Sequence, residues 1–196
     1  MTENKATVQK TNVRMLAEGG VCIALAIALS FLKIPIGASF GGFGGSIDFV
    51  MIPLRFFAIK WGPRWGCIAG LIFGTIKYFL GSGFAISWVS IIFDYSVAYA
   101  MVGLAGVIGI FMNPSSPVAN GIGAFIGCLG RFIIHYISGI TVYAQYMPEE
   151  FMNFKMTSPS FYSLLYNGTY MLPNTIIAIV IMVLISKPLK KLYESK

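Results

Sequence analysis

Charge is what this 196-residue chain most lacks: charged side chains make up 11% of it, where a soluble domain carries about 25%. Fourteen Lys and Arg and seven Asp and Glu cannot clothe a core when 57% of the residues are hydrophobic. A water-soluble fold is excluded, and lipid must cover most of the exterior. Histidine occurs once, which excludes a multi-histidine metal site. Cysteine is scarce and odd in number: Cys22, Cys67 and Cys128 lie inside apolar runs with no metal-ligand spacing, so they point to packing and away from a disulfide framework. The chain has no Gly-x4-Gly-Lys-Ser/Thr loop, so it is not expected to hydrolyse ATP, and no Gly-x-Ser-x-Gly turn surrounds Ser138. No small-residue cleavage site follows the polar stretch 1–12, so the first helix is expected to stay.

What the chain has in abundance is apolar sequence. At about 20 residues per membrane-crossing helix, its length predicts a compact all-α bundle of six transmembrane helices. The runs are 15–33, 45–60, 64–80, 87–112, 117–143 and 161–186, each bounded by Gly, Pro or charge. The expected organisation is one membrane domain, 14–186, between short tails at 1–13 and 187–196. Gly62-Pro63 and Asn113-Pro-Ser-Ser-Pro117 predict tight turns. Two connections are longer: the glycine-rich 37–45, which would act as a lid, and 144–160.

The basic residues sit at the ends of apolar runs and form no patch interleaved with aromatics, so the net charge of +7 reports membrane orientation and not a nucleic-acid partner. With the N-terminus cytoplasmic, the inside collects Lys5, Lys10, Arg14, Lys60, Arg64, Lys187, Lys190, Lys191 and Lys196, and the outside holds Lys33 and Lys155. That asymmetry predicts both termini inside and both long connections outside.

Ionisable groups within the runs cost at least a few kcal/mol each in hydrocarbon and so ask for a role. They are Glu18, Asp48, Arg55, Lys77, Asp94, Arg131 and His135. Glu18, Arg55, Lys77 and Arg131 lie near run ends, where they are expected to snorkel or pair with one another. Asp94 is about 10 Å deep at 1.5 Å per residue, too far for its short side chain to snorkel. An ion pair with Arg131 or Lys77 is the plain explanation for it.

The topology gathers Asp94 and Tyr95, then His135, Gly139 and Tyr143 at four-residue spacing on one helix face, then Tyr162, Tyr166, Asn167 and Tyr170. A carboxylate, an imidazole, an amide and several aromatic rings at one depth suit a cationic, aromatic, hydrogen-bonding ligand. An aromatic belt around one buried ion pair is the structural alternative. A stand-alone carrier or channel would need internal repeats, and none stands out. An intramembrane hydrolase would rest on His135 and Ser138 alone. In the first run, Gly20 and Ala24 at small-residue spacing would admit another helix.

The stretch Gly130-Arg-Phe-Ile-Ile-His-Tyr-Ile-Ser-Gly-Ile-Thr-Val-Tyr143, followed by Tyr162-Ser-Leu-Leu-Tyr-Asn-Gly-Thr-Tyr-Met-Leu-Pro173, resembles the thiamin-specific substrate-binding subunits of energy-coupling factor transporters, the ThiT or YuaJ family. Gly44-Gly-Ser-Ile47, Met51-Ile-Pro53, the turn from Arg55 to Gly66, and Phe93-Asp-Tyr-Ser-Val-Ala98 extend the resemblance over nearly the whole chain from Arg14. It implies a non-enzymatic S-component that captures thiamin from outside with high affinity. Its implied partners are a transmembrane coupling protein and two cytoplasmic ATPases, with ATP used by those ATPases and no cofactor held by this chain. The family's thiamin site maps onto Asp94, Tyr95, His135, Gly139, Tyr162 and Asn167, and its coupling motif onto Gly20 and Ala24. Tyr143 and Phe84 align where some members carry Trp and Tyr, and Asp94 where some carry Glu. The resemblance also leaves another cationic heterocycle or vitamin open as the cargo.

Overall fold

In lipid a backbone must satisfy its hydrogen bonds within its own segment, so apolar runs become helices. The computed structural model describes residues 2–39, 44–82 and 84–195 and is predominantly helical. Helix α1 is Thr2–Leu29, α2 is Ile36–Ser39, α3 is Met51–Trp61 and α4 is Pro63–Lys77. They are followed by α5 (Trp88–Phe111), α6 (Pro117–Thr141), α7 (Pro159–Ser186) and α8 (Lys190–Glu194). Among the described residues four helical stretches are long and apolar enough to cross a membrane: Gln9–Leu29 within α1, and the whole of α5, α6 and α7. Helices α3 and α4, of 11 and 15 residues, are shorter, and α4 is prolonged by a π-helical turn, Tyr78–Ser82.

Several expected boundaries move. The first run ends at Leu29 and not at residue 33, because Lys33–Ile34 forms strand β1 against β2 (Ile47–Asp48), pairing Lys33 with Asp48. The second apolar run consequently becomes helical, as α3, at Met51 instead of 45, since Gly44 and Gly45 take positive φ (135° and 83°) and lead into the strand. At the N-terminus the helix already runs from Thr2, within the expected tail. The other expected tail is also partly folded: Tyr193 on α8 is buried and its hydroxyl donates to Asn120 Oδ1 at 2.6 Å. Residues 40–43 of the proposed lid lie outside the described residues.

Glycine sets the closest helix approach. Gly66, Gly70 and Gly74 recur every four residues on α4, and a Cβ at Gly70 or Gly74 would overlap the backbone carbonyl of Tyr99 or Tyr95 on α5. This contact holds the tyrosine-bearing part of α5 against α4. The α5 backbone is itself irregular, with a π-helical stretch at Ile92–Val97 and a 3-10 stretch at Gly103–Val107. The connection after α6 is also ordered: β3 (Glu150–Phe151) and β4 (Phe154–Lys155) form a hairpin whose turn residues Met152 and Asn153 both have positive φ. Phe151 and Met156 pack on Tyr162, so the hairpin caps the start of α7.

Candidate ligand-binding site

Beneath the two strand pairs the helices leave a cavity of about 290 Å³, near the lower end of the range for small-molecule sites. All eight residues expected at a site line it: Phe84, Asp94, Tyr95, His135, Gly139, Tyr143, Tyr162 and Asn167. Lys77, Tyr99, Arg131, Ser163, Tyr166 and Tyr170 line it as well.

Asp94 sits on the π-helical stretch of α5, a backbone irregularity frequent at functional sites. Its carboxylate accepts from Ser138 Oγ at 2.9 Å and meets His135 Nδ1 at 3.0 Å. Arg131 Nε donates to His135 Nε2 at 3.2 Å. Arginine can only donate, so Nε2 is the acceptor, the proton is on Nδ1, and the imidazole is neutral with its N–H aimed at Asp94. A carboxylate has about four acceptor positions. Among the described residues His135 and Ser138 occupy two, which leaves the rest for groups in the cavity. Ser138 bonds Asp94 and not His135, so no Ser–His dyad forms.

The cations expected near run ends do not snorkel. Lys77 and Arg131 are buried at the cavity floor, and Arg55 is fully buried below it. Lys77 donates to Tyr99 Oη at 2.6 Å and pairs with Asp48 at 3.4 Å. Arg131 donates to the same Tyr99 oxygen at 3.1 Å and lies over the Tyr99 ring at 4.2 Å. Arg55 reaches Met51 Sδ and Cys128 Sγ instead of a carboxylate. The expected ion pair of Asp94 with Arg131 or Lys77 is therefore replaced: Asp48 takes Lys77, and Arg131 reaches Asp94 only through His135.

One wall is a ladder of rings. Tyr162, Tyr166 and Tyr170 recur every four residues on α7, with centroids 5.6 and 6.0 Å apart, and Tyr170 meets the His135 ring edge-on at 6.0 Å. Tyr166 donates to the Gly44 carbonyl at 2.6 Å, fixing the segment that leads into β2. A Cβ at Gly45 would overlap the Tyr170 ring, which explains glycine there.

Three expected ligand contacts are engaged with protein. Asn167 Nδ2 donates to the Ser163 carbonyl at 2.9 Å and the His135 carbonyl at 3.3 Å, while its Oδ1 accepts from Tyr170 at 2.5 Å. Its amide ties α7 to α6. Gly139 lets that contact close, since a Cβ there would overlap Ser163 Oγ. Tyr95 Oη accepts from the Phe84 N–H and donates to the Phe84 carbonyl at 2.8 Å, so it pins the cavity rim. Tyr143 lines the same cavity from just beyond the end of α6.

Sequence reasoning passes over Tyr99, the shared acceptor of two cations, because an aromatic residue in an apolar run carries no signal of its own. The alignment of Lys77 and Arg131 with Tyr99 depends on the α4–α5 glycine contact. The stripe Gly66-x3-Gly70-x3-Gly74 is the signal that could have revealed it.

A family model described as thiamine transporter protein (Thia_YuaJ) matches residues 16–194. A thiamine transporter, ThiT, of Bacillus subtilis is 28% identical over all of this chain and 98% of its own length. A second ThiT, of Lacticaseibacillus paracasei, is 25% identical over 96% of this chain and 94% of its own. A solved structure of ThiT from Listeria monocytogenes superposes with a TM-score of 0.78 at 24% identity, covering 93% of this chain and 98% of that one, and supports the fold.

Proposed function

This chain belongs to the thiamine transporter protein family and is a multi-pass membrane protein of bacterial type, and on that premise we propose that it is the thiamin-capturing S-component of an energy-coupling factor importer. One observation carries the reading. The Asp94 carboxylate faces a tyrosine-walled cavity, and among the described residues a neutral imidazole and a hydroxyl are its bonded partners, while the neighbouring cations are engaged elsewhere. Thiamin brings a positive thiazolium and a hydrogen-bonding aminopyrimidine. The carboxylate supplies the countercharge, and the Tyr162–Tyr166–Tyr170 ladder supplies π-faces for the cation and the flat rings.

Asp94 acts directly on the ligand. His135, Gly139 and Asn167 set the wall, and Phe84, Tyr95 and Tyr143 form the rim. The low-dielectric surroundings strengthen the charge attraction relative to water. Binding then needs no cofactor on this chain.

In this reading the chain crosses the membrane six times, with α3 and α4 forming the second and third crossings and both termini cytoplasmic. The basic residues at the end remote from the cavity support that orientation. Residues 14–186 form the single membrane domain. Delivery falls to a transmembrane coupling protein and two cytoplasmic ATPases that consume ATP. Gly20 and Ala24 are exposed on α1, and a Cβ at Gly20 would meet nothing, which suits a contact with that partner.

The test is calorimetric titration of the purified chain with thiamin, then uptake into liposomes with and without the coupling protein and ATPases. Saturable binding with uptake only in the full assembly is expected. Uptake by the chain alone would favour a stand-alone carrier, and absence of binding would send the assignment to another cationic heterocycle. Ala24→Trp should abolish uptake and leave binding unchanged; uptake that survives would remove this contact surface.

A further inference from the structure

The end of the α6–α7 pair remote from the cavity holds a second hollow. Pro117, Gly121, Ile122 and Phe125 of α6 face Ile179 and Val183 of α7 across an open groove of about 400 Å³, whose lining is apolar throughout among the described residues. Gly121 keeps it open: a Cβ there would stand 3.2 Å from Val183, and any longer side chain would occupy the groove.

The register shows what crowns this groove. At the cavity end Gly139 adjoins Ser163 and the His135 carbonyl meets Asn167, while at the far end Gly121 adjoins Val183. The two helices are thus antiparallel and stay in step, so Pro117 is matched by residue 187. Lys187 follows Ile179 and Val183 at four-residue intervals and keeps helical backbone angles (φ −69°, ψ −51°), so it continues their helix face. It is exposed. An apolar slot one helix turn from an exposed ammonium matches a hydrocarbon chain that ends in an anion.

We propose that this groove binds an anionic phospholipid, with one acyl chain between α6 and α7 and the head-group phosphate against Lys187. A zwitterionic lipid offers the same chain but carries its own cation beside the phosphate, so preference for the anionic head group is the signature of the site. The groove is separate from the cavity, and the proposal stands whether or not the cavity's ligand is thiamin.

The test is native mass spectrometry of the detergent-purified full chain with phosphatidylglycerol and phosphatidylcholine of identical acyl chains. The wild type should retain phosphatidylglycerol preferentially. Lys187→Gln should lower that preference about fivefold, the scale of one basic side chain beside a lipid phosphate, and Lys187→Arg should keep it. Gly121→Phe should reduce retention of both lipids by filling the slot. Lys187 is exposed, so its variants are expected to fold, which circular dichroism checks. Equal retention of the two lipids by the wild type would overturn the proposal and point to a partner helix as the occupant. A preference unchanged in Lys187→Gln would overturn it as well.

Discussion

Two ionic clusters lie at opposite ends of α3 and are put to different uses. At the Met51 end, Asp48, Lys77, Tyr99, Arg131, His135, Asp94 and Ser138 form a chain of polar contacts that opens onto a cavity. At the other end, Glu18 accepts from Lys60 Nζ and Trp61 Nε1 at 2.8 Å each and from Arg14 at 2.9 Å, and Arg14 also donates to Ser195. None of the residues of that second cluster lines this cavity. It joins α1, α3 and the C-terminal segment, and Glu18 receives three donors, two of them cations. In the first cluster Lys77 is tied to Asp48 and Tyr99, and Arg131 to Tyr99 and His135, so among the described residues no cation is bonded to Asp94. A half-buried carboxylate alone therefore does not mark a site; one with unused acceptor positions facing empty volume does.

Substitutions can break this contrast. The largest effect is expected from Lys77→Met, which leaves Asp48 buried without its cation: a stability loss of about 3–5 kcal/mol, read as a fall in the detergent unfolding midpoint. Asp94→Ala should cost thiamin binding about 2–5 kcal/mol, with calorimetric affinity falling roughly 30-fold or more. Gly139→Val forces α6 from Ser163 and should cost about 1–3 kcal/mol of stability, together with an affinity loss visible in the same titration. Glu18→Gln keeps hydrogen-bond acceptors for Lys60 but removes the charge. It should lower stability by about 1–2 kcal/mol and leave thiamin affinity within about twofold, as expected for additive, distant sites; a larger change in affinity would show that the two clusters communicate. Tyr95→Phe should have the smallest effect. Losing its bonds to Phe84 at a half-exposed rim is worth about 1 kcal/mol, appearing mainly as faster thiamin dissociation in stopped-flow measurements.

Much of the site is legible in the sequence because helix periodicity projects onto space. Asp94 is too deep to snorkel, and His135-x3-Gly139-x3-Tyr143 and Tyr162-x3-Tyr166-x3-Tyr170 each define one face. The pairings are not legible. Whether Lys77 meets Asp94 or Asp48 depends on Lys33–Ile34 and Ile47–Asp48 forming strands, which two-residue segments do not announce. Asn167 and Tyr95 have the chemistry of ligand contacts, yet their hydrogen-bonding atoms are taken by the Ser163, His135 and Phe84 backbones, partners fixed by loop and helix register. Helix starts shift for the same reason: Gly45 reads as the first residue of an apolar run but, like Gly44 before it, takes a positive φ that excludes a helix.

The most direct test of the central claim is the calorimetric comparison of thiamin binding by the wild type and Asp94→Asn. Asparagine preserves side-chain size and an acceptor oxygen for Ser138 while removing the negative charge. If Asp94 supplies the countercharge for thiazolium, the wild type binds thiamin saturably and Asp94→Asn binds at least about tenfold more weakly, the scale of a charge-assisted contact. Equal affinity in a folded Asp94→Asn protein would contradict the account, because the cavity would then hold its ligand without using the charge that distinguishes it.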